Sequence, residues 1–391
     1  MKKKIGILGS TGSIGTTTLN IIQNNRKDFN VDFLSTNKNI KKLLNQAVKF
    51  KVKNLMIHDK DIFFRYQSIL KSKRYNVFNN VNDLTKKNKT RFYYIMSSIT
   101  GLDGLEPTLD IIKHTKNIAI ANKEAIICGW NLIKKKLKNY NTQFIPVDSE
   151  HFSISELIKK ENIYNIKKIF ITASGGPFLK IKKDSIKISN SLKATKHPTW
   201  KMGKKISVDS STLMNKVFEL IEAKKIFNLK NNFFEIIVQP TSYVHGIVEF
   251  KSGVTKLLTH PTSMRVPIFN SIYYNQKKNI NLENIDFNKL NNLNFQKIDY
   301  GKFPINRIIK RLNNKDSLFE TVLITANDTL VNLYLKNKIK FYDIYKILIK
   351  ILNLRVFKKL NQTTPKNLEQ IKQLSHKVRL KTQSLSVISK I

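Results

Sequence analysis

The sequence predicts an α/β protein with a mostly parallel sheet in its N-terminal part and helices in its C-terminal part. A short apolar strand runs into a glycine-rich turn at residue 9. Strand-like apolar runs then alternate with helical patterns as far as residue 121, and helical periodicity dominates from residue 303 onward. Alternating strands and helices favour a parallel sheet because each crossover helix packs on a face of the sheet.

The first strand is predicted at residues 4–8 and leads into the run GSTGSIG from Gly9 to Gly15, after which a helix begins. Strand, glycine-rich turn and helix N-terminus together form the arrangement that binds the pyrophosphate of a dinucleotide. The spacing G-x-x-G-x-x-G differs from the commoner G-x-G-x-x-G. An ordinary Gly/Ser turn between a strand and a helix is therefore the alternative interpretation.

The second strand is predicted at residues 31–34 and ends at the run STNKN, residues 35–39. An NAD-binding domain places an acidic residue near this point to bind the ribose hydroxyls. This sequence offers hydroxyls, amides and Lys38 instead, and an ammonium can bind a 2′-phosphate. The residues therefore indicate NADP rather than NAD.

Further strands are predicted at residues 54–57, 92–96 and 118–121. The run ANKE, residues 121–124, follows the last of these. It lies at the carboxyl end of a predicted parallel strand, which is where open α/β sheets bind ligands.

Two strands of the central part are also followed by polar residues. A strand at residues 144–147 precedes Asp148-Ser149-Glu150, and a strand at residues 168–172 precedes Ser174-Gly175-Gly176. Two carboxylates beside a hydroxyl suit a hard cation if a third carboxylate joins them, and Glu219 is the candidate. The glycines would let backbone N–H groups approach an anion. The alternatives are a solvated helix N-terminus and a simple tight turn.

The stretch from Lys204 to Lys225 is the most informative of the chain. Residues 206–208 are predicted as a short buried strand, and a helix follows with Leu213, Val217, Leu220 and Ile221 on its apolar face.

Polar side chains share the other side of this predicted helix. Asn215, Glu219 and Glu222 stand at i, i+4 and i+7, and Lys216 lies close to the turn that contains Ser210. Hydroxyl, amide and ammonium groups near a helix N-terminus suit a phosphate, because free N–H groups already favour an anion there. An amphipathic surface helix with a polar solvent face is the alternative.

The loop at residues 196–203 contains His197, Trp200 and Met202 and is predicted to be a lid that shields substrate from water. A loop aromatic packed on a core is the alternative. A β-hairpin is predicted from residues 243–250 and 254–259. After a polar linker at residues 275–299, helices are predicted around residues 305–312, 318–335 and 342–351.

Composition limits the classes of function. A formal charge of +43 would suit a nucleic-acid partner. However, Arg is sparse and the lysines are spread along the chain, so codon bias explains the charge better and no nucleic-acid partner is expected.

The single cysteine, Cys128, excludes an internal disulfide framework. No run reaches ~18 apolar residues, and a strand starting at Ile5 leaves no room for a signal or transit peptide. We therefore expect a cytoplasmic protein without membrane contact.

The motifs together resemble the 1-deoxy-D-xylulose 5-phosphate reductoisomerases. They occur in that family's order as GSTGSIG at Gly9, ANKE at Ala121, PVDSEH at Pro146, SGGPF at Ser174, HP-x-W-x-MG at His197 and KISVDS-x-x-x-MNK-x-x-E at Lys205. The resemblance implies an NADP-dependent oxidoreductase that makes 2-C-methyl-D-erythritol 4-phosphate in the non-mevalonate isoprenoid pathway. It also implies a homodimer and a divalent metal, Mg²⁺ or Mn²⁺, with Co²⁺ as a further candidate.

The resemblance implies three domains. A Rossmann-like NADP-binding domain would span residues 1–147, and a central α+β catalytic and metal-binding domain would span residues 148–274. After the linker at 275–299, a C-terminal helical domain would span residues 300–391.

The resemblance also implies roles for individual residues. The NADPH contacts would be Thr11, Gly12, Ser13, Ile14, Asn37, Lys38, Asn39, Asn122, Glu124 and Gly203. The metal ligands would be Asp148, Glu150 and Glu219. The substrate contacts would be Lys123, Ser149, Glu150, Ser174, His197, Ser210, Asn215, Lys216 and Glu219, with Lys123, His197 and the three metal ligands as the catalytic group.

Two departures from the family pattern stand out. Asn37 replaces a usual Gly, and the run THPTSMR at residues 259–265 replaces a more typical Gly-x-Pro-Asp-Met-Arg. The first bears on cofactor affinity and the second on dimer or loop geometry. The alternative activity is that of an NADP-dependent oxidoreductase that reduces another phosphorylated aldehyde or sugar without isomerising it.

Overall fold

The computed structural model describes residues 2–86, 90–187, 189–200 and 202–388. The chain forms two compact units. The first consists of Met1–Ile126, Asn131–Asp148 and Met264–Asn281, and the second of Ile127–Trp130, Ser149–Ser263 and Leu282–Ile391.

The strands are, in chain order, β1 Lys3–Leu8, β2 Phe29–Thr36, β3 Asn54–Ile57, β4 Asn76–Phe78, β5 Phe92–Ser97, β6 Thr115–Ile120, β7 Gln143–Ile145, β8 Ile166–Ala173, β9 Phe234–Val238, β10 Val244–Phe250 and β11 Thr255–Thr259. The helices are α1 Ser13–Asn24, α2 Ile40–Phe50, α3 Lys60–Ser72, α4 Val81–Lys86, α5 Leu105–Ile111, α6 Lys123–Asn139, α7 Ser149–Ile158, α8 Lys183–Lys187, α9 Ser191–Thr195, α10 Lys204–Ser211, α11 Met214–Phe227, α12 Arg265–Ile272, α13 Phe287–Asn291, α14 Asn306–Ile309, α15 Leu318–Leu335, α16 Phe341–Asn353, α17 Arg355–Lys358 and α18 Leu368–Ile388.

The first unit is built on a parallel sheet with the strand order β4-β3-β2-β1-β5-β6-β7. The apolar residues of its central strands are buried, which is typical of a parallel sheet covered on both faces. The strand order reverses between β1 and β5, so the carboxyl ends of these two neighbouring strands flank a topological switch point. The predicted parallel sheet is confirmed. Strand β4 was not predicted because three residues are too few to show a period.

Helix α12 also belongs to the first unit, because Ile268, Phe269 and Ile272 are buried in the core that contains β1 and α1. The domain division predicted from the sequence assigned residues up to 274 to the central domain. The structure differs at this point, since Met264–Asn281 packs with the first unit. Periodicity along the chain shows which residues are apolar but not which core they enter.

The second unit contains a mixed sheet with the strand order β11-β10-β8-β9. Strands β8 and β9 are parallel, whereas β10 is antiparallel to both β8 and β11. The predicted hairpin is therefore confirmed as β10 and β11. Helix α7 packs against β10, and α11 packs against β8 and β9.

The strand predicted at residues 206–208 is wrong, because these residues lie inside helix α10. The run Ile-Ser-Val is too short for its alternation to distinguish a strand from a helix. Helix packing decides the outcome here, since residues 207–211 are buried and α10 contacts α9, α11 and α15. The chain then turns at Leu213, whose φ of 59° is left-handed, and α11 begins at Met214.

The helix predicted around residues 305–312 is only partly confirmed, because α14 spans Asn306–Ile309. The other two helices predicted in the C-terminal part are confirmed. Helix α15 spans the predicted residues 318–335, and the segment predicted at 342–351 lies within α16. The linker predicted at 275–299 contains α13 and a β-bridge between Gln296 and Val238. No helix among the described residues is both long enough and apolar enough to cross a membrane.

Candidate functional site

The glycine-rich turn lies at the carboxyl end of β1, beside the switch point of the parallel sheet. Gly9 has a φ of +83°, and a Cβ at this position would lie 2.8 Å from the carbonyl oxygen of Ser98. Only glycine fits this close, left-handed position. Helix α1 follows with Gly12 as its N-cap and without a capping side chain, so its N-terminus suits a pyrophosphate.

Two polar side chains that the sequence analysis missed hold this turn. The Ser35 hydroxyl accepts a hydrogen bond from the Gly9 N–H at 2.8 Å, and it also pairs with Nε2 of His58 at 2.9 Å. Burial lowers the pKa of His58 to about 4. Both residues lie at carboxyl strand ends, Ser35 in β2 and His58 directly after β3. Their position at strand ends was the only feature of the sequence that could have indicated these two residues.

Two of the predicted cofactor residues, Thr11 and Asn39, are held in place near the end of β2. The hydroxyls of Thr11 and Thr36 are 2.8 Å apart, and Lys42 donates to the Thr11 carbonyl at 2.8 Å. Asn39 caps α2 by accepting from the Lys42 N–H. These contacts order the backbone next to the glycine-rich turn.

Lys38 is 68% exposed and forms an ion pair with Asp59, with 3.1 Å between Nζ and Oδ2. Hydrogen bonds from the Ile62 N–H and from Lys38 keep the pKa of Asp59 below its usual value. A 2′-phosphate bound at Lys38 would therefore share this ammonium with a carboxylate that the sequence analysis did not consider.

Asn122 and Lys123 follow β6 at the same edge of the parallel sheet. Asn122 is the N-cap of α6, where its Oδ1 accepts from the Ala125 N–H, and its Nδ2 donates to the carbonyls of Ile99 and Gly101. The side-chain amide of Asn122 therefore connects the start of α6 to the backbone at residues 99–101. Lys123 forms an ion pair with Asp148.

Three carboxylates cluster around the start of α7. Oxygen atoms of Asp148, Glu150 and Glu219 lie within 4.8 Å of one another. Glu150 and Glu219 are 7% and 1% exposed. The Lys216 ammonium is paired with both. Burial acts to lower the pKa of Lys216, but the two carboxylates outweigh it and raise that pKa above its usual range. Oxygen ligands of this kind suit a hard divalent cation.

The turn after β8 lies against the end of α10. Gly176 has a φ of +66°, and a Cβ there would lie 2.6 Å from the Ser210 carbonyl oxygen. Any larger residue would push the two segments apart. The Ser174 hydroxyl accepts from the Gly176 N–H at 3.1 Å. This close approach brings the Ser174 turn next to the helix end that contains Ser210.

His197 is held as a neutral imidazole with a defined tautomer. Its Nδ1 accepts hydrogen bonds from the N–H groups of Trp200 at 2.9 Å and Thr199 at 3.2 Å. The proton therefore lies on Nε2, which is 2.9 Å from the Ser174 hydroxyl. Burial, and secondarily the charge of Lys216, lowers the pKa of His197 to about 4.

The loop predicted as a lid contacts a pair of histidines that the sequence analysis missed. The Trp200 ring meets the His245 ring edge-on at 6.0 Å, and His245 stacks on His260 with 3.6 Å between ring centres. His260 belongs to the run 259–265 that departs from the family pattern. His245 lies in β10 and His260 directly follows β11, so antiparallel pairing of the two strands was the signal that could have found them. Lys201 of this loop lies outside the described residues.

Family models match most of the chain. A model described as 1-deoxy-D-xylulose 5-phosphate reductoisomerase matches residues 5–129, and two models of the C-terminal domains of that enzyme match residues 144–227 and 260–381. A protein of that name from Pelagibacter ubique (strain HTCC1062) is 52% identical over 387 residues, which cover 98% of this chain and 100% of the relative. The chain belongs to the 1-deoxy-D-xylulose 5-phosphate reductoisomerase family.

Solved structures of reductoisomerases share the fold. The enzyme from Zymomonas mobilis in complex with NADPH has a TM-score of 0.86 at 30% identity, and 99% of each chain is covered. A DOX-P reductoisomerase in complex with NADPH, fosmidomycin and magnesium has a TM-score of 0.91 at 28% identity, again with 99% of each chain covered. The fold class and the family resemblance predicted from the sequence are thereby confirmed.

Within this reductoisomerase fold, most predicted site residues fall into two groups. Thr11, Gly12, Ser13, Ile14, Asn37, Lys38, Asn39, Asn122 and Glu124 follow the carboxyl ends of strands in the parallel sheet. Ser149, Glu150, Ser174, His197, Ser210, Asn215, Lys216 and Glu219 belong to the second unit. Gly203, predicted as a cofactor contact, is the N-cap of α10, and a Cβ there would meet no atom within 4 Å. The individual roles of all these residues stay predictions.

The buried imidazole of His58 makes the stability of the first unit sensitive to acid. The pKa of His58 is lowered from 6.5 to about 4 in the folded chain, so below pH 6.5 the unfolded chain binds more protons than the folded one. We expect the free energy of unfolding to fall as the pH falls from about 6.5 to about 4. In His58→Gln, which keeps a polar partner for Ser35, the fall over this window should be smaller. Urea unfolding at several pH values measures it, and identical slopes for the two proteins would contradict the assignment.

Proposed function

We propose that this chain converts 1-deoxy-D-xylulose 5-phosphate to 2-C-methyl-D-erythritol 4-phosphate with NADPH and a divalent metal ion. The observation that supports this most directly is a buried carboxylate cluster paired with Lys216. Beside it lie the polar groups of the Ser174 turn, the end of α10 and the start of α11, to which we assign the phosphate. A sugar phosphate that presents adjacent oxygens at one end and a phosphate at the other matches both parts.

The donor set fits a metal such as Mg²⁺ or Mn²⁺. Asp148, Glu150 and Glu219 would hold it, because three clustered carboxylates supply hard oxygen ligands. Asn215 and Lys216 both donate to Glu219, which fixes the orientation of its carboxylate. When bound, the ion supplies Lewis-acid polarisation of the substrate carbonyl and its neighbouring hydroxyl.

The glycine-rich turn fits the cofactor. Gly9 lets the turn pass close to the Ser98 backbone, and the uncapped start of α1 suits a pyrophosphate, which Thr11, Gly12, Ser13 and Ile14 would line. NADPH supplies the hydride when bound. Lys38 and Asn39 would bind the 2′-phosphate, and this favours NADPH over NADH.

Lys216 can serve the phosphate and the carboxylates at the same time. An ammonium has three N–H donors, and Glu150 and Glu219 accept two of them. The third can donate to a phosphate oxygen together with Ser174, Ser210 and Asn215. The neutral His197 directs its Nε2–H to the Ser174 hydroxyl, which can then donate its own proton to the phosphate without a further charge near pH 7. Phosphate contacts remote from the reacting carbons then supply binding energy that orients them.

The activity is tested by following NADPH absorbance in the presence of 1-deoxy-D-xylulose 5-phosphate, with product analysis by NMR. We expect a branched polyol phosphate, formed with Mg²⁺ or Mn²⁺ and lost after chelation. A linear reduced product would indicate the alternative oxidoreductase without isomerisation. NADPH oxidation that persists unchanged after chelation would exclude the proposed role of the carboxylate cluster.

The phosphate role is tested by Lys216→Ala. A hydrogen bond to a charged group contributes ~1.5–3 kcal/mol, so we expect the affinities for substrate and inorganic phosphate to fall by roughly 10- to 100-fold. NADPH affinity should stay the same. Lys251→Ala, which changes an exposed lysine of the same unit, is the control and should match the wild type. If Lys216→Ala bound phosphate as tightly as the control, the phosphate site would lie elsewhere.

We further propose that the chain is a homodimer in the cytoplasm, which the resemblance to the family supports. Sedimentation equilibrium at micromolar concentration should give twice the chain mass of 45.4 kDa. A single species at the chain mass would contradict the dimer.

A further inference from the structure

The proposed phosphate site depends on the angle between two short helices. Ser210 lies near the end of α10, whereas Asn215 and Lys216 lie in the first turn of α11. Leu213, with its left-handed φ, joins the two helices. Side chains from both helices can face one phosphate only if this angle is fixed.

Helix α15 holds α10 through a buried polar contact. The side-chain amide of Asn327 donates to Oδ1 of Asp209 at 2.7 Å. Asn327 and Asp209 are 0% and 2% exposed, and Asp209 directly precedes Ser210. Next to this contact, Lys205 of α10 forms an ion pair with Asp328 of α15 at 2.8 Å.

The same helix α15 also holds α11. Glu320, in the first turn of α15, is paired with Lys224 at 2.7 Å and with Lys225 at 2.6 Å. The side chains of Glu320, Lys224 and Lys225 are only 1%, 2% and 2% exposed. The two lysines lie in the last turn of α11, the helix that also contains Lys216 and Glu219.

We propose that Asn327 and Glu320 are positioning residues that set the angle between α10 and α11 and thereby form the phosphate site. The inference rests on the proposed function of that site. Buried ion pairs are weak evidence for stability, because apolar residues of similar size often stabilise a core as well. Buried hydrogen bonds and ion pairs are directional and therefore fix geometry. Here they attach helix α15 to α10 on one side of the Leu213 turn and to α11 on the other.

The test compares two variants that each remove one buried hydrogen bond of α15. Asn327→Ala removes the bond to Asp209. Ser375→Ala removes the bond that Ser375 accepts from the Thr325 hydroxyl at 3.0 Å, which links α15 to α18. Asn327, Thr325 and Ser375 are all buried, so both variants should lower the Tm. The discriminating measurements are the KM for the sugar phosphate, the inhibition constant of inorganic phosphate and the Kd of NADPH.

We expect Asn327→Ala to raise the KM and the phosphate inhibition constant by roughly tenfold, since a small misplacement of binding groups has effects of this size or larger. The Kd of NADPH should not change, and Ser375→Ala should leave all three constants at their wild-type values. If Asn327→Ala does not fold, Glu320→Gln, which keeps the shape and removes the charge, should give the same pattern. Phosphate constants that stay at the wild-type value, or that shift equally in Ser375→Ala, would overturn the proposal.

Lys216→Ala separates this inference from the proposed function. If Lys216→Ala leaves the inhibition by phosphate unchanged, the phosphate binds elsewhere and the proposed site is wrong. If Lys216→Ala weakens inhibition but the α15 variants do not, the site stands and only the positioning role is wrong.

Discussion

The pairing of Lys216 with Glu150 and Glu219 joins the elements of the second unit that form the candidate site. A buried ammonium needs carboxylate partners, and two buried carboxylates next to each other need a positive charge between them. The requirement links α7, which begins at Ser149, to α11, and through α11 to the sheet strands β8 and β9. The same ammonium keeps one donor for an anion. The fold of the second unit and the proposed binding of an anion therefore depend on the same side chain.

Much of the fold was predictable because its signals are local. The strand, glycine-rich turn and helix at the N-terminus, the hairpin of β10 and β11 and the long helix α15 each show their period or turn residues within a short window. Some candidate site residues were predictable for a related reason. Asn122 and Asp148 follow β6 and β7, which are parallel neighbours in one sheet, and Ser174 directly follows β8 of the other sheet. The assignment of roles came from the family resemblance, and the geometry is compatible with it.

What the sequence did not predict depends on contacts between distant segments. Residues 206–208 form a helix because α10 is enclosed by α9, α11 and α15, and no local pattern records those neighbours. Helix α12 enters the first core, although the chain has spent more than a hundred residues in the second unit before it. The stacked pair of His245 and His260 and the support of Gly9 by Ser35 and His58 likewise join residues from different strands. The type of each of these side chains does not by itself predict which residue it contacts.

The excess of lysine has a structural consequence of its own. The chain has 70 basic and 27 acidic residues, so carboxylates are scarce. Surface lysines tolerate the imbalance because water and salt screen them. A buried lysine does not, and Lys216, Lys224 and Lys225 in α11 are each paired with at least one carboxylate. Composition can therefore drift at exposed positions more freely than at Glu150, Glu219 or Glu320, because loss of one of these removes a carboxylate partner from a buried lysine. The few acidic residues that remain are accordingly more informative about the site than the many basic ones.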